Sequence, residues 1–305
     1  MKIGIVSHIV LDLIQDIEGS ETESIGGLAC YGSIIAKTFN FDKILYTKVG
    51  YDFDKLDLLK LDNIFLRVDQ IDEKNPTTRF RIILNKDGGR SLFLLAKCSP
   101  INNTFQNFDN LDGVVLSPVI DEITNEVYQN FAETKKDKFT MLDPQGFLRE
   151  WNKETLSISY RNQIELDLNG ITSIKIDEEE LSALTKGITA VEGMKLLKKK
   201  FSLEFVILTG MNQILLLHKN ILYSLPIKKK PNLDNAGLGD ILSTAFSCSY
   251  LKEKDPLWAF CFAVGSVIAA LDSNKKGLEK VPRKINLIER NASYFYNMIK
   301  FKILD

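Results

Sequence analysis

Residues 234–246 read DNAGLGDILSTAF. Two glycines, Gly237 and Gly239, precede an amphipathic run that reads as a helix. At the start of such a helix the first backbone N–H groups lack helical partners and face outward. They attract anions, helped by the positive end of the helix dipole. Small residues let a phosphate approach the backbone closely. Asp240 has two readings here. It is a first-turn carboxylate that stabilises the dipole, or a base beside a phosphate that takes a proton from an attacking hydroxyl.

Other glycine motifs are excluded. The chain has no G-x-x-x-x-G-K-[ST] loop. GLGDIL lacks the third glycine of a dinucleotide fingerprint and lies far from the N-terminus, which disfavours a nicotinamide-dependent oxidoreductase. The H-R-D and D-F-G elements of protein kinases are also missing.

Upstream, short apolar runs alternate with helix-permitting stretches. KIGIVSHIV (2–10), KILYTKV (43–49), NIFLRV (63–68), GVVLS (113–117), FTMLD (139–143), ITSIKI (171–176) and EFVILTG (204–210) read as strands. Leu28 to Phe39 reads as a helix. Continuous apolar strands separated by helices imply a parallel sheet covered on both faces. Residues 77–96 break the rhythm as a hairpin turning at Lys86-Asp87-Gly88-Gly89, either a surface decoration or a lid. A second hairpin turns near Lys219-Asn220. From Gly237 onward three helices are expected, over 238–252, 255–271 and 284–298.

The 305 residues carry 39 Lys+Arg against 40 Asp+Glu, a net charge of -1, with 45% apolar and 26% charged residues. That balance argues against a nucleic-acid partner or an anionic membrane surface. The apolar run 258–271 is too short to cross a bilayer and suits a buried helix. Cys30, Cys98, Cys248 and Cys261 form no C-x-x-C, and with only His8 and His218 a zinc site is not expected. Reduced, buried thiols in a cytoplasmic protein are expected. The lysine runs 198–200 and 228–230 read as solvated faces, and His8 as a core histidine.

The 234–246 stretch resembles the C-terminal signature of the ribokinase-like (PfkB) carbohydrate kinases, D-T-x-G-A-G-D followed by a helix. In the family's order, Gly26-Gly27 resembles its first glycine pair and Asp177 to Glu180 its N-x-x-E element. Leu208-Thr209-Gly210 resembles its T-x-G turn, and GLEKVP (277–282) a stretch near its adenine pocket. The resemblance covers almost the whole chain. It implies a single domain over 1–305, a doubly wound, mostly parallel α/β fold with a small β lid at about 12–25 and 70–98. It further implies an ATP- and Mg2+-dependent kinase acting on a small sugar, polyol or nucleoside.

Carried over by position, Asp240 is the base, and Gly237, Leu238 and Gly239 supply the anion hole. Glu180 orients Mg2+ through water. Asp177, Thr209, Gly210, Asn235 and Gly277 lie on the nucleotide side. Asp12, Gly26 and Gly27 face the acceptor. Departures are Asp177 for the usual Asn, Asn235 for Thr, Leu238 for Ala, and no Lys or Asn beside Gly26-Gly27, which moves ribose out of the leading place. Leu142-Asp143-Pro144-Gln145-Gly146-Phe147-Leu148-Arg149 follows a strand and reads either as a surface loop or as ligand contacts. It resembles the D-x-Q-G-x-x-R stretch of the archaeal and plant myo-inositol kinase branch, as do the HIVLD opening and TTRF (77–80). Gln145, Arg149 and Arg79 are then acceptor-side or phosphate contacts, and a myo-inositol-like acceptor is favoured over a nucleoside. A non-catalytic sensor would have no need for Asp240. A homodimer through the lid strands is a further implication.

Overall fold

A computed structural model describes residues 1–85, 89–101, 110–124, 127–129, 138–161, 164–227 and 234–304. Its strands are β1 (Lys2–Val6), β2 (Val10–Gln15), β3 (Glu21–Gly26), β4 (Asp42–Tyr46), β5 (Val49–Gly50), β6 (Ile71–Asp72), β7 (Arg79–Leu84), β8 (Arg90–Ala96) and β9 (Gly113–Leu116). They continue as β10 (Phe139–Leu142), β11 (Arg149–Trp151), β12 (Ile158–Tyr160), β13 (Ser173–Asp177), β14 (Phe205–Thr209), β15 (Gln213–His218), β16 (Ile221–Pro226) and β17 (Lys300–Ile303). The main helices are α1 (Leu28–Thr38), α2 (Leu56–Leu61), α3 (Gln145–Leu148), α4 (Glu178–Thr185), α5 (Ala190–Phe201), α6 (Leu238–Glu253), α7 (Pro256–Asp272) and α8 (Ile285–Met298).

Nine strands form one sheet in the order β17-β16-β15-β14-β13-β10-β9-β1-β4. The six from β4 to β14 run parallel, and β15, β16 and β17 add on antiparallel. Every residue of β9 and β10 is buried, as a strand covered on both faces requires. The two faces carry separate apolar cores. One packs α1, α6, α7 and α8 against the sheet, and the other takes Leu181 of α4 with Met194 and Leu197 of α5. The apolar run at 258–271 is the buried body of α7, opened by Pro256 and by Asp255, whose carboxylate accepts the Leu257 and Trp258 N–H groups at 2.9 and 3.0 Å. Among the described residues no helix is long and apolar enough to cross a membrane. All four cysteines are buried and unpaired.

A second sheet runs β3-β2-β7-β8, with β2 and β7 parallel and the outer pairs antiparallel. Its apolar side closes on Val119 and Ile120, just beyond β9. The hairpin at 77–96 is therefore part of a packed sheet. Of its expected turn, Lys86–Gly88 lies outside the described residues, as do residues 228–230. The Lys219-Asn220 hairpin is present, with Lys219 left-handed at φ 54°.

Two expected elements differ, and one strand is additional. The opening run divides, because the chain leaves the large sheet after Val6 and enters the small one at Val10; the His8 N–H donates to the Glu122 carboxylate in between. Residues 63–68 form no strand. Asn63 is left-handed at φ 57°, and Phe65 and Val68 lie exposed on the surface at 65% and 86%. β17 has no counterpart in the sequence reading, because all four of its residues are exposed and carry no burial pattern. It is fixed by pairing with β16, and its lysines suit an edge strand.

Candidate active site

The C-terminal ends of β9, β10 and β13 and the start of α6 meet the small sheet around a cleft open to solvent. In a parallel α/β sheet this edge is where ligands bind. Asp240 sits in the first turn of α6, 6% exposed, and its Oδ1 accepts the Ser117 hydroxyl at 2.9 Å. Ser117 in turn accepts from Gln145 Nε2 at 3.0 Å, and Gln145 Oε1 accepts from the Arg149 guanidinium at 2.7 Å. Arg149 is anchored on the Val119 carbonyl at 2.8 Å. The buried Glu122 carboxylate holds that loop by accepting the N–H groups of Val119, Ile120 and His8. A chain of four side chains and one loop thus fixes the rotamer of Asp240. Burial, with the charge of Asp143 added, pushes the Asp240 carboxyl up to about 7, against the Ser117 hydrogen bond and the cations Lys175 and Arg149.

Below Asp240 lies a buried ion cluster. Lys175 of β13 is bonded to Asp143 at 2.9 Å and stands 3.9 Å from Glu180. Burial alone would lower the lysine. Asp143, Glu180 and Asp177 overcome it and hold the ammonium above its ordinary value. Burial pushes Glu180 upward. Gly239 is what admits this pair beneath the helix start, since a Cβ there would stand 3.0 Å from Lys175 Nζ. Asp177 and Glu180 cap α4 reciprocally: Asp177 Oδ1 accepts the Glu180 N–H, and Glu180 Oε2 accepts the Asp177 N–H, both at 2.8 Å. Aspartate caps as well as asparagine, which accounts for Asp177 where the resembling motif has Asn.

Gly237, the N-cap of α6, is left-handed at φ 71°, and the Tyr31 ring fills the place a Cβ would take. The Leu238 N–H donates to the Asn235 carbonyl at 3.4 Å, and the amides of Gly239 and Asp240 precede the first i−4 bond of the helix, Ile241 N–H to Gly237 O at 2.9 Å. Across the cleft, Asp12 of β2 is 7% exposed, with no hydrogen bond or ion pair to its carboxylate among the described residues. Burial pushes it up to about 7, opposed by Arg90. Gly26 leaves room for it: a Cβ there would lie 2.5 Å from Asp12 Oδ2.

No family model matches the chain, and no curated protein matches its sequence. Solved structures match it along nearly its whole length. A pyrophosphate-dependent kinase in the ribokinase family, complexed with a pyrophosphate analog and myo-inositol, superposes with a TM-score of 0.75 at 18% identity, over 94% of this chain and 99% of that one. The nucleoside kinase of Methanocaldococcus jannaschii, an archaeal member of the ribokinase family, gives 0.70 at 18%, over 96% and 98%. Arabidopsis thaliana ribokinase complexed with ribose and ATP gives 0.69 at 18%, over 95% and 98%. This chain has the ribokinase fold.

Within the ribokinase fold, ten of the expected site residues line the one cleft: Asp12, Gly27, Gln145, Arg149, Asp177, Glu180, Asn235, Gly237, Gly239 and Asp240. Gly26 and Leu238 stand directly beside it in sequence. Thr209 ends β14, in register with Asp177, and Gly210 follows it. Gly277 is tied to the helix start through its N–H, which donates to Asp234 at 2.8 Å.

Arg79 is a correction. Its guanidinium faces Asp52 at 3.6 Å, outside the cleft. Successive strand residues point to opposite faces, so Phe80 and Ile82, which do line the cleft, send Arg79 and Arg81 the other way. The arginine of the small sheet that reaches the cleft is Arg90. Gln145 and Arg149 line the cleft and are also spent on holding Ser117 and Val119. Sequence reasoning passed over Lys175 and Ser117 and quoted Asp143 in its motif without giving it a role of its own. Lys175 left a signal, a lone lysine inside an apolar parallel strand, since a buried charge requires a partner.

Proposed function

We propose that the chain is a phosphotransferase that moves the γ-phosphoryl group of ATP onto a hydroxyl of a small sugar or polyol, with a myo-inositol-like acceptor favoured. The observation that carries this is one cleft holding a buried carboxylate at a glycine-rich helix start and, facing it, a second carboxylate with no hydrogen-bond or ion-pair partner among the described residues. Asp12 accepts hydrogen bonds from acceptor hydroxyls. Asp240 takes the proton of the attacking hydroxyl as the new O–P bond forms and the bond to ADP breaks. The amides from Gly237 to Asp240 receive the charge on the transferring group.

The free oxygens of the Asp177 and Glu180 carboxylates fit a hydrated Mg2+, which binds through one or two carboxylates and keeps several waters. Such an ion would neutralise donor phosphates. The small sheet acts as the lid that excludes water. β3 is an edge of the small sheet among the described residues, and it is the strand through which a second copy would pair.

The test is donor consumption across myo-inositol, ribose, other polyols and nucleosides, with ATP and pyrophosphate as separate donors. Myo-inositol with ATP is expected to give the highest kcat/KM. A nucleoside ranking first would move the assignment to a nucleoside kinase, and no turnover with any pair would sink the kinase reading. Asp12→Asn is expected to raise the acceptor KM by about 10- to 100-fold, the loss of one or two charge-assisted hydrogen bonds, with donor KM unchanged.

A further inference from the structure

Lys280 is a lysine with 1% of its surface exposed, lying outside the cleft. It closes a short 3-10 turn, Gly277–Lys280. Its ammonium bridges two oxygens of one residue, donating to the Asp234 carbonyl at 2.8 Å and pairing with Asp234 Oδ2 at 2.9 Å. The Asp234 carboxylate also accepts the N–H of Ala236 at 2.9 Å and of Gly277 at 2.8 Å. The ammonium lies 5.7 Å from the centroid of the Tyr31 ring, the ring that packs against Gly237. One buried cation therefore touches both supports of the left-handed turn that opens α6.

Burying a lysine is costly, and filling space alone would need only an apolar side chain of the same length. The acceptors around the ammonium explain the charge: a carboxylate and a carbonyl of the same residue, turned toward one point. Without a cation between them they would repel, and the segment 234–237 would relax. The pair is internally neutral, so its effect on the phosphate site is geometric.

We propose that Lys280 is a positioning residue for the anion hole: a covalently attached cation that fixes the Asp234–Gly237 turn and so aims the amides of Gly237 to Asp240. The proposal rests on the reading of that helix start as the phosphate site. It has a direct consequence for salt dependence. The wild-type protein carries its own cation at this point, whereas Lys280→Ala leaves a small cavity bounded by the Asp234 oxygens and the Tyr31 ring, suited to potassium or ammonium.

The test measures turnover of the full chain in potassium, ammonium or tetramethylammonium chloride at constant ionic strength. Wild type is expected to vary by less than about twofold. Lys280→Ala is expected to fall roughly 10- to 100-fold in tetramethylammonium, as misplaced catalytic groups do, and to regain about tenfold in potassium or ammonium. Lys280→Arg should retain more activity than Lys280→Ala. The double variant Asp234→Asn/Lys280→Met removes both charges, so its Tm should return toward wild type while turnover stays down about tenfold or more. Recovery of both Tm and turnover in the double variant, or a Lys280→Ala rate indifferent to cation, would overturn the proposal. Pyrophosphate affinity by calorimetry gives a second readout with the same expected pattern. A wild type that neither turns over nor binds pyrophosphate would overturn the phosphate-site reading itself.

Discussion

Asp240→Asn is expected to slow phosphoryl transfer by about 10²- to 10⁴-fold, the range for loss of a general base, while making the protein more stable. Both effects come from the same burial. With its carboxyl raised from 3.8 to about 7, Asp240 binds its proton more tightly in the folded than in the unfolded chain. Stability therefore falls as pH rises from the unfolded value through about 7, and the full cost is present above that. The shift corresponds to at most about 4 kcal/mol. Asparagine keeps the shape and removes the charge, so its Tm at pH 8 should exceed that of wild type, with the difference vanishing near pH 4. The wild-type rate should decline about tenfold per pH unit below about 7, where the base is protonated. A Tm unchanged at pH 8 would mean that Asp240 is not the desolvated group the structure shows.

The second large effect is expected at Lys175. Lys175→Met leaves Asp143 and Glu180 buried without their cation, and breaking a buried pair from one side typically costs about 3–5 kcal/mol. Because the lysine is raised from 10.5, its stabilisation is fully present below that value and is lost only as pH climbs through the folded one. The loss in Lys175→Met should thus be seen undiminished at neutral pH. Adding Asp143→Asn should recover much of it. In the single variant Asp240 also loses a cation and keeps the Asp143 charge, so the midpoint of the pH–rate profile should move upward. Urea titration and a pH–rate profile of both variants check this, and an unchanged midpoint of unfolding would contradict the cluster's role.

These effects show what was legible in the chain and what was not. The parallel sheet was legible because GVVL and FTML are apolar but for Thr140 and buried at every position, a pattern imposed by cover on both faces. The helix start at Gly237–Asp240 is local in sequence, so its spacing carried it; Asp177 and Glu180 entered only through their resemblance to a motif, and the reciprocal cap they form came from the structure. The Lys175–Asp143 pair joins residues 32 apart, and only the side-by-side placement of β10 and β13 brings them together. Lys280 and Asp234 are 46 apart, joined where the turn after α7 returns to the start of α6. Arg79 was misplaced for a different reason. The motif was read for residue type without the alternation of a strand, which sends Arg79 and Phe80 to opposite faces. β17 was missed because an exposed edge strand carries no burial pattern and is defined by its neighbour.

The central claim is that this cleft moves a phosphoryl group onto a hydroxyl with Asp240 as the base. Phosphorus NMR of the donor with the best acceptor tests it most directly, run with wild type and with Asp240→Asn. Wild type should form one phosphomonoester for each donor consumed, and Asp240→Asn should form it at least about 100-fold more slowly with donor affinity nearly unchanged. A phosphomonoester appearing at the wild-type rate with Asp240→Asn would contradict the account.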